Sequence, residues 1–262
     1  MGVREWLHPR RMPVLHIADD EGEGPVVIMI HGIASSSVTF SELLPLLREK
    51  YRCITIDLMG FGASPMAPEG ATYTIEEHVD AVRSTIKALG LKAPFILIGH
   101  SMGSLIAARY AARFPGKVSK LVLVSPPIYV APTELGDPRS RAAMGAYLRA
   151  YEYLRGNKGF TTRSASFLSR LSPIKNVLEV TERNWEPFVL SLQNSIESQT
   201  ALSDIASVKV PVAIVYGTLD PFIMTGGLRI AEQLRHVTVY RVEANDHLVR
   251  KRLAKAVAKA VN

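Results

Sequence analysis

The sequence predicts an α/β protein: a mostly parallel central sheet with helices on both faces, interrupted by a helical insertion. Two observations carry this. Short apolar runs alternate with longer segments of helical period, the pattern of a sheet covered on both sides. That alternation stops between residues 126 and 208 and then resumes.

Taken in order, strands are expected at Val26 to Ile30, Cys53 to Asp57, Phe95 to Gly99, Leu121 to Ser125, Val212 to Gly217 and Val237 to Val242. Most are rich in β-branched residues and bounded by Gly, Pro or Asp, as buried strands should be. Helices are expected at Thr39 to Glu49, Thr74 to Leu89, Met102 to Phe114, Thr225 to Leu234 and His247 to Val261. Thr74-Ile75-Glu76-Glu77 carries a capping signature, a hydroxyl at the cap and a carboxylate three residues on. The alanine-rich helix after Met102 stops before Pro115, where a helix would lose a hydrogen bond and meet the proline ring. Residues 1–125 and 209–262 therefore form the sheet core, and 126–208 a helical cap with amphipathic stretches such as Ala142 to Leu154 and Glu182 to Ser198. Caps of this kind are where lids are built.

Composition sets the class. A chain of 262 residues with 47% hydrophobic and 21% charged residues forms one sizeable packed core. The net charge of +7 is spread, and its densest stretch, Arg139 to Arg183, mixes Arg with Tyr, Leu and Glu at helix-like spacing. A solvated helical face follows, and nucleic-acid binding does not. Cys53, the single cysteine, lies in an apolar strand and reads as a small buried side chain. The N-terminus lacks the apolar stretch of a signal peptide, and Trp6 stands where a myristoylation motif needs Ser or Thr. No apolar run reaches the roughly 18 residues that span a bilayer. The expectation is a cytoplasmic protein with no integral membrane segment; the oligomeric state is left open, a homo-oligomer included.

The sharpest motif is Gly99-His100-Ser101-Met102-Gly103, directly after an apolar strand and directly before a helix. In that context it specifies a sharp turn that lifts the serine hydroxyl clear of the sheet. A Cβ at either glycine would collide with neighbouring chain. The adjoining helix N-terminus favours developing negative charge, which makes the Met102 amide a natural oxyanion donor.

With this motif the sequence resembles the α/β-hydrolase family, and further segments agree with it in order along nearly the whole chain. His31-Gly32-Ile33 looks like the family's oxyanion loop, which implies the Ile33 amide as second donor. Asp57-Leu58-Met59-Gly60-Phe61-Gly62-Ala63-Ser64 resembles a Gly-rich turn that marks the fold, so Asp57 is structural. Gly217-Thr218-Leu219-Asp220 follows a strand where the family keeps its acid, and His247 follows the last strand at the position of the base. Asp246 stands immediately before that histidine, where the family usually has Gly, and offers a second carboxylate; Asp220 is preferred because a sequence neighbour cannot readily aim at the ring.

The resemblance implies Ser101, Asp220 and His247 as catalytic residues, a small-molecule ester-like substrate, no cofactor and no metal. No His, Cys, Asp or Glu cluster has ligand spacing. His31 and His100 serve packing and hydrogen bonding, and His8, His16, His78 and His236 have no catalytic context. Phe160, Phe167, Leu168, Trp185, Phe188 and Leu192 are candidates to line an apolar substrate pocket or to pack the cap, and Arg163 to meet a substrate carboxylate or solvent. The leading function is hydrolysis of a small to medium, fairly apolar carboxylic ester through an acyl-enzyme. The alternatives are carbon-carbon bond hydrolysis of a ring-cleavage diketone, cofactor-free haloperoxidase activity, and a non-catalytic ligand-binding protein on the same scaffold. Dehalogenase and epoxide hydrolase chemistry need a carboxylate where Ser101 stands.

Overall fold

A computed structural model describes residues 11–130, 138–172, 174 and 177–262. Trp6 and His8 lie outside the described residues. The fold is a seven-stranded sheet of β1 (Ile17–Glu21), β2 (Val26–Ile30), β3 (Arg52–Ile56), β4 (Phe95–His100), β5 (Val118–Val124), β6 (Val212–Gly217) and β7 (Val237–Val242). Their spatial order is β1-β3-β2-β4-β5-β6-β7, with β1 antiparallel to β3 and the other strands parallel.

Both faces of the inner strands are buried, and alternate residues feed two cores. On β2, Ile28 and Ile30 join one core while Val27 and Met29 join the other; β5 divides likewise into Leu121 and Leu123 against Val122 and Val124. The first core takes in α2 (Ile75–Ala88), α3 (Met102–Arg113) and α8 (Thr225–Glu232), and the second α1 (Leu44–Leu47) and α9 (Lys251–Val261). Cys53 is fully buried in the second core, and burial, then the Glu21 charge, pushes its thiol up to about 11. The capping box of α2 forms as expected: Glu77 N–H donates to Thr74 Oγ1 at 3.3 Å and Thr74 N–H to Glu77 Oε2 at 3.1 Å.

Between β5 and β6 the described residues form α4 (Pro138–Gly156), α5 (Lys158–Leu171), α6 (Trp185–Ser191) continuing into a π-helical turn at Leu192–Ile196, and α7 (Ala201–Ser207). Polar contacts tie these segments to the core, among them Glu179 N to Ala34 O at 2.7 Å and Ser195 Oγ to Tyr73 O at 2.8 Å. Arg183 donates to the carbonyls of Gly62 and Ser64, at 3.0 and 3.1 Å, and Arg109 of α3 pairs with Asp204 of α7 at 2.7 Å.

Three expectations need correction. The segment Thr39 to Glu49 is a 3₁₀ turn at Ser37–Phe40 followed by the single-turn α1, whose early Pro45 cannot extend a helix backwards. The last helix begins at Lys251, leaving His247 in a loop. Strand β1 had no counterpart in the expected elements. No helix among the described residues is long and apolar enough to cross a membrane.

Candidate active site

The chain leaves β2 to form β3 on one side and returns to form β4 on the other, so the strand order reverses between β2 and β4. Loops at the carboxyl ends of two such strands diverge and leave a crevice. Ser101 follows β4 and His31-Gly32-Ile33 follows β2, so both border that crevice.

Ser101 occupies φ 52° and ψ −124°, a backbone conformation costly for any residue with a Cβ. Surrounding contacts hold it there: its amide donates to Val124 O at 2.9 Å, and its carbonyl accepts from Ser104 N at 2.9 Å. The flanking glycines are needed as expected. A Cβ on Gly99 would lie 2.2 Å from Gly103 O, and one on Gly103 would lie 2.3 Å from Ile30 O. Helix α3 starts at Met102, whose amide points out of the first turn without an intrahelical partner.

The loop after β2 lies directly against this serine. A Cβ on Gly32 would sit 2.8 Å from Ser101 Cβ and 3.3 Å from its Oγ. Fully buried His31 orients that loop. Its Nε2 accepts from Leu58 N at 2.8 Å, so the ring proton is on Nδ1, which donates to Gly32 O at 2.7 Å. A trans peptide points its carbonyl and its N–H in opposite directions, so anchoring Gly32 O fixes the direction of the Ile33 amide. Burial lowers the proton affinity of His31 despite the Asp57 charge, which keeps the ring neutral and the tautomer fixed.

Asp220 and His247 meet. Nδ1–H of His247 donates to Asp220 Oδ2 at 2.8 Å, while Asp220 Oδ1 accepts from Phe222 N at 2.9 Å. The carboxylate is wholly buried and the imidazole partly exposed. Burial by itself would raise the Asp220 carboxyl. The hydrogen bond and charge of His247, then the Phe222 amide, outweigh it and hold the group below the usual carboxylate range. The Ser125 hydroxyl lies close enough to favour the same charge, though it completes no hydrogen bond of good geometry.

The acid and histidine loops are laced together by Thr218 N to Val242 O, Leu219 N to Asn245 O and Ala244 N to Thr218 Oγ1, at 3.0, 2.9 and 3.1 Å. His100 joins the histidine loop to the serine turn. Its Nε2–H donates to His247 O at 2.9 Å and the two rings lie 4.7 Å apart. Burial, helped by the neighbouring His247, lowers His100 to about 3, so it is neutral. Among the described residues the Ser101 hydroxyl makes no hydrogen bond in this resting arrangement; such contacts often tighten only with substrate bound.

Asp246 is occupied elsewhere, pairing with Arg250 at 2.6 Å and accepting from Leu248 N at 3.1 Å. Asp57 accepts from Ser37 N, Ser37 Oγ and Ala63 N, and so knits the turn after β3. Phe160 and Phe167 are exposed on α5, Phe160 against Tyr153. Trp185 is half-buried, Phe188 and Leu192 are buried, and the Trp185 and Phe188 rings pack 5.8 Å apart. Arg163 bonds Gly159 O of its own helix, and the Leu168 side chain lies outside the described residues. Besides His100, the rings on this side of His247 were not singled out from the sequence: Phe222, whose ring is 4.7 Å from His247, and beyond it Tyr147. Phe222 stands two residues after Asp220, a nearness that was readable.

Three comparisons bear on this site. A sequence model of the alpha/beta hydrolase fold matches residues 25–249. The probable lysophospholipase BODYGUARD 1 of Arabidopsis thaliana is 38% identical over 112 residues, covering 40% of this chain and 24% of that protein. A serine hydrolase-like protein of Danio rerio is 39% identical over 114 residues, 44% of this chain and 34% of that one. The matched stretch thus covers about a quarter to a third of these relatives. An esterase structure from Thermogutta terrifontis superposes with a TM-score of 0.72 at 19% identity, covering 94% of this chain and 91% of that chain, a likeness of fold.

Proposed function

Because the chain belongs to the α/β-hydrolase family, we propose that it is a serine hydrolase cleaving a small to medium, fairly apolar carboxylic ester through an acyl-enzyme. The observation that carries this is Ser101 at its strained turn beside Gly32, with the Asp220–His247 pair joined to that turn through His100. The name of the Arabidopsis relative, a probable lysophospholipase, supports ester cleavage.

In this reading Ser101 Oγ attacks the ester carbonyl carbon while His247 Nε2 takes its proton. Asp220 holds Nδ1–H and stabilises the imidazolium. The tetrahedral oxyanion accepts from the amides of Ile33 and Met102, each such donor contributing roughly 3 to 4 kcal/mol to the barrier reduction. Protonated His247 gives its proton to the leaving alkoxide, the carbon-oxygen bond breaks, and an acyl-Ser101 ester remains. Water, deprotonated by the same imidazole, attacks that ester and releases acid and free serine. Residues 126–208 act as the cap over the crevice, and Trp185 and Phe188 are its apolar contribution to the substrate side.

Fluorophosphonate labelling with nitrophenyl-ester turnover tests this. Wild type should label and turn over, and Ser101→Ala should do neither. An unlabelled wild type refutes the serine mechanism and favours a binding protein. Turnover of a ring-cleavage dienoate without any ester turnover replaces the ester with a carbon-carbon bond.

A further inference from the structure

Most of the chain's net charge sits on two helices. Residues 138–171, which form α4, α5 and the one residue between them, hold seven Lys and Arg against a single acidic residue, Glu152, and so a net +6 of the chain's +7. Two of these cations are spent inside the insertion: Arg155 pairs with Glu197, and Lys158 with Glu182. Arg149 and Arg163 are exposed and pair with no carboxylate among the described residues.

A charged helical face alone would be a solvated one, but these helices also expose rings. Among the described residues the aromatic side chains left open to solvent are Phe167 at 63%, Tyr153 at 53%, Phe160 at 47%, and Phe222 beside the base. Phe160, Arg163 and Phe167 stand at i, i+3 and i+7 and so share one face of α5, away from buried Ala165. Tyr153 packs edge-on to Phe160 at 5.4 Å and carries that surface across the turn onto α4. Ala150 and Ala146, three and seven residues before Tyr153 on the same side of α4, are exposed and uncharged.

Rings held in water forgo the gain of burial. Rings set among arginines match the boundary of a bilayer, where aromatic side chains lie at headgroup depth and guanidinium groups meet phosphates. We propose that the α4–α5 face, through Tyr153, Phe160, Phe167, Arg149 and Arg163, docks the protein on the surface of an anionic lipid bilayer. A nucleic acid would answer the cations, but the alanine side of α4 offers it nothing to bond.

The test is flotation of the whole chain with vesicles, which needs no turnover and so stands or falls apart from the ester reading. Vesicles of equal parts phosphatidylglycerol and phosphatidylcholine should bind wild type at least about tenfold more tightly than phosphatidylcholine alone, since each basic residue near an anionic surface strengthens binding by about fivefold. Raised salt should remove that difference. Arg149→Glu with Arg163→Glu should weaken binding to the mixed vesicles by at least about tenfold, and Phe160→Ser with Phe167→Ser should do the same. Lys255→Glu with Lys259→Glu makes the same change of net charge at exposed positions of α9 and should stay within about threefold of wild type. Circular dichroism reports each variant's fold, and the comparison of lipids and salt needs no variant. The inference is overturned if wild type does not prefer the anionic vesicles, if the α9 variant loses as much as the α4–α5 variants, or if the ring variant binds like wild type. It is equally overturned if a single-stranded oligonucleotide binds more tightly than the vesicles, or if wild type is a dimer that the ring variant makes monomeric, which would place a second copy on this face.

Discussion

Replacing Gly32 by Ala should damage turnover without damaging the fold, and the size of the effect follows from one contact. The added methyl would be built 2.8 Å from Ser101 Cβ and 3.3 Å from Oγ, whereas carbon atoms pack at about 3.5 to 4.0 Å. Either the loop after β2 or the serine turn must withdraw by about 1 Å. Ser101 is pinned through its amide to Val124, so the Gly32–Ile33 peptide yields, and the Ile33 amide with it. A displacement of that size can cost about a hundredfold in rate, and complete loss of an oxyanion donor about a hundredfold to a thousandfold. Steady-state kinetics on a nitrophenyl ester should therefore show kcat down by two to three orders of magnitude, KM changed far less, and slower fluorophosphonate labelling. Gly90→Ala is the control: Gly90 has positive φ, which Gly32 does not, but no atom lies within 4 Å of an added methyl, so a modest stability loss with unchanged kcat is expected. If Gly32→Ala kept kcat within threefold of wild type, the oxyanion assignment would be wrong.

Asp220→Asn should lower kcat by about ten-thousand-fold with the circular dichroism spectrum intact, because the amide cannot hold the imidazole in the working tautomer. Asp246→Asn should leave kcat within threefold, since that carboxylate serves Arg250; a loss as large as that of Asp220→Asn would exchange the two roles. Stability should fall on acidification below pH 6.5. His78 is fully buried, and burial, aided by nearby His31, lowers it to about 3, so only the unfolded chain binds its proton between about 6.5 and 3. A base weakened by folding contributes nothing above its unfolded pKa and costs about 1.4 kcal/mol per pH unit below it. Urea unfolding of wild type against His78→Gln from pH 7 to 5 should show the stability gap shifting in the variant's favour by that slope. Parallel curves would contradict a neutral, buried His78.

Much of this molecule was legible in its sequence because parallel strands buried on both faces must be nearly all apolar. Strands β2, β4 and β6 announce themselves as runs such as Val26 to Ile30. Strand β1 did not, because Ile17-Ala18-Asp19-Asp20-Glu21 is acidic. Its edge position is held by side chains on β3, with Thr55 reaching Asp19 and Arg52 making two bonds to Asp20, and no hydrophobic period records such contacts. The proposed triad residues stand in motifs at strand ends, and Asp57, set aside as structural, accepts from Ser37 and Ala63 in the turn after β3. Local motifs could not reveal that His31 orients a peptide or that His100 bonds the histidine loop across the sheet. Each depends on contacts between residues distant along the chain.

Strands β5 and β6 hydrogen-bond side by side, Leu121 opposite Val212 and Val124 opposite Val215, with the whole helical insertion threaded between them. Closing a loop costs conformational entropy that grows only with the logarithm of its length, about 0.6 kcal/mol for each doubling. The sheet is therefore nearly indifferent to how many residues travel between those two strands. With that excursion as the proposed cap, lengthening, shortening or exchanging it is expected to recut what the crevice admits while the ladder beneath it keeps its register.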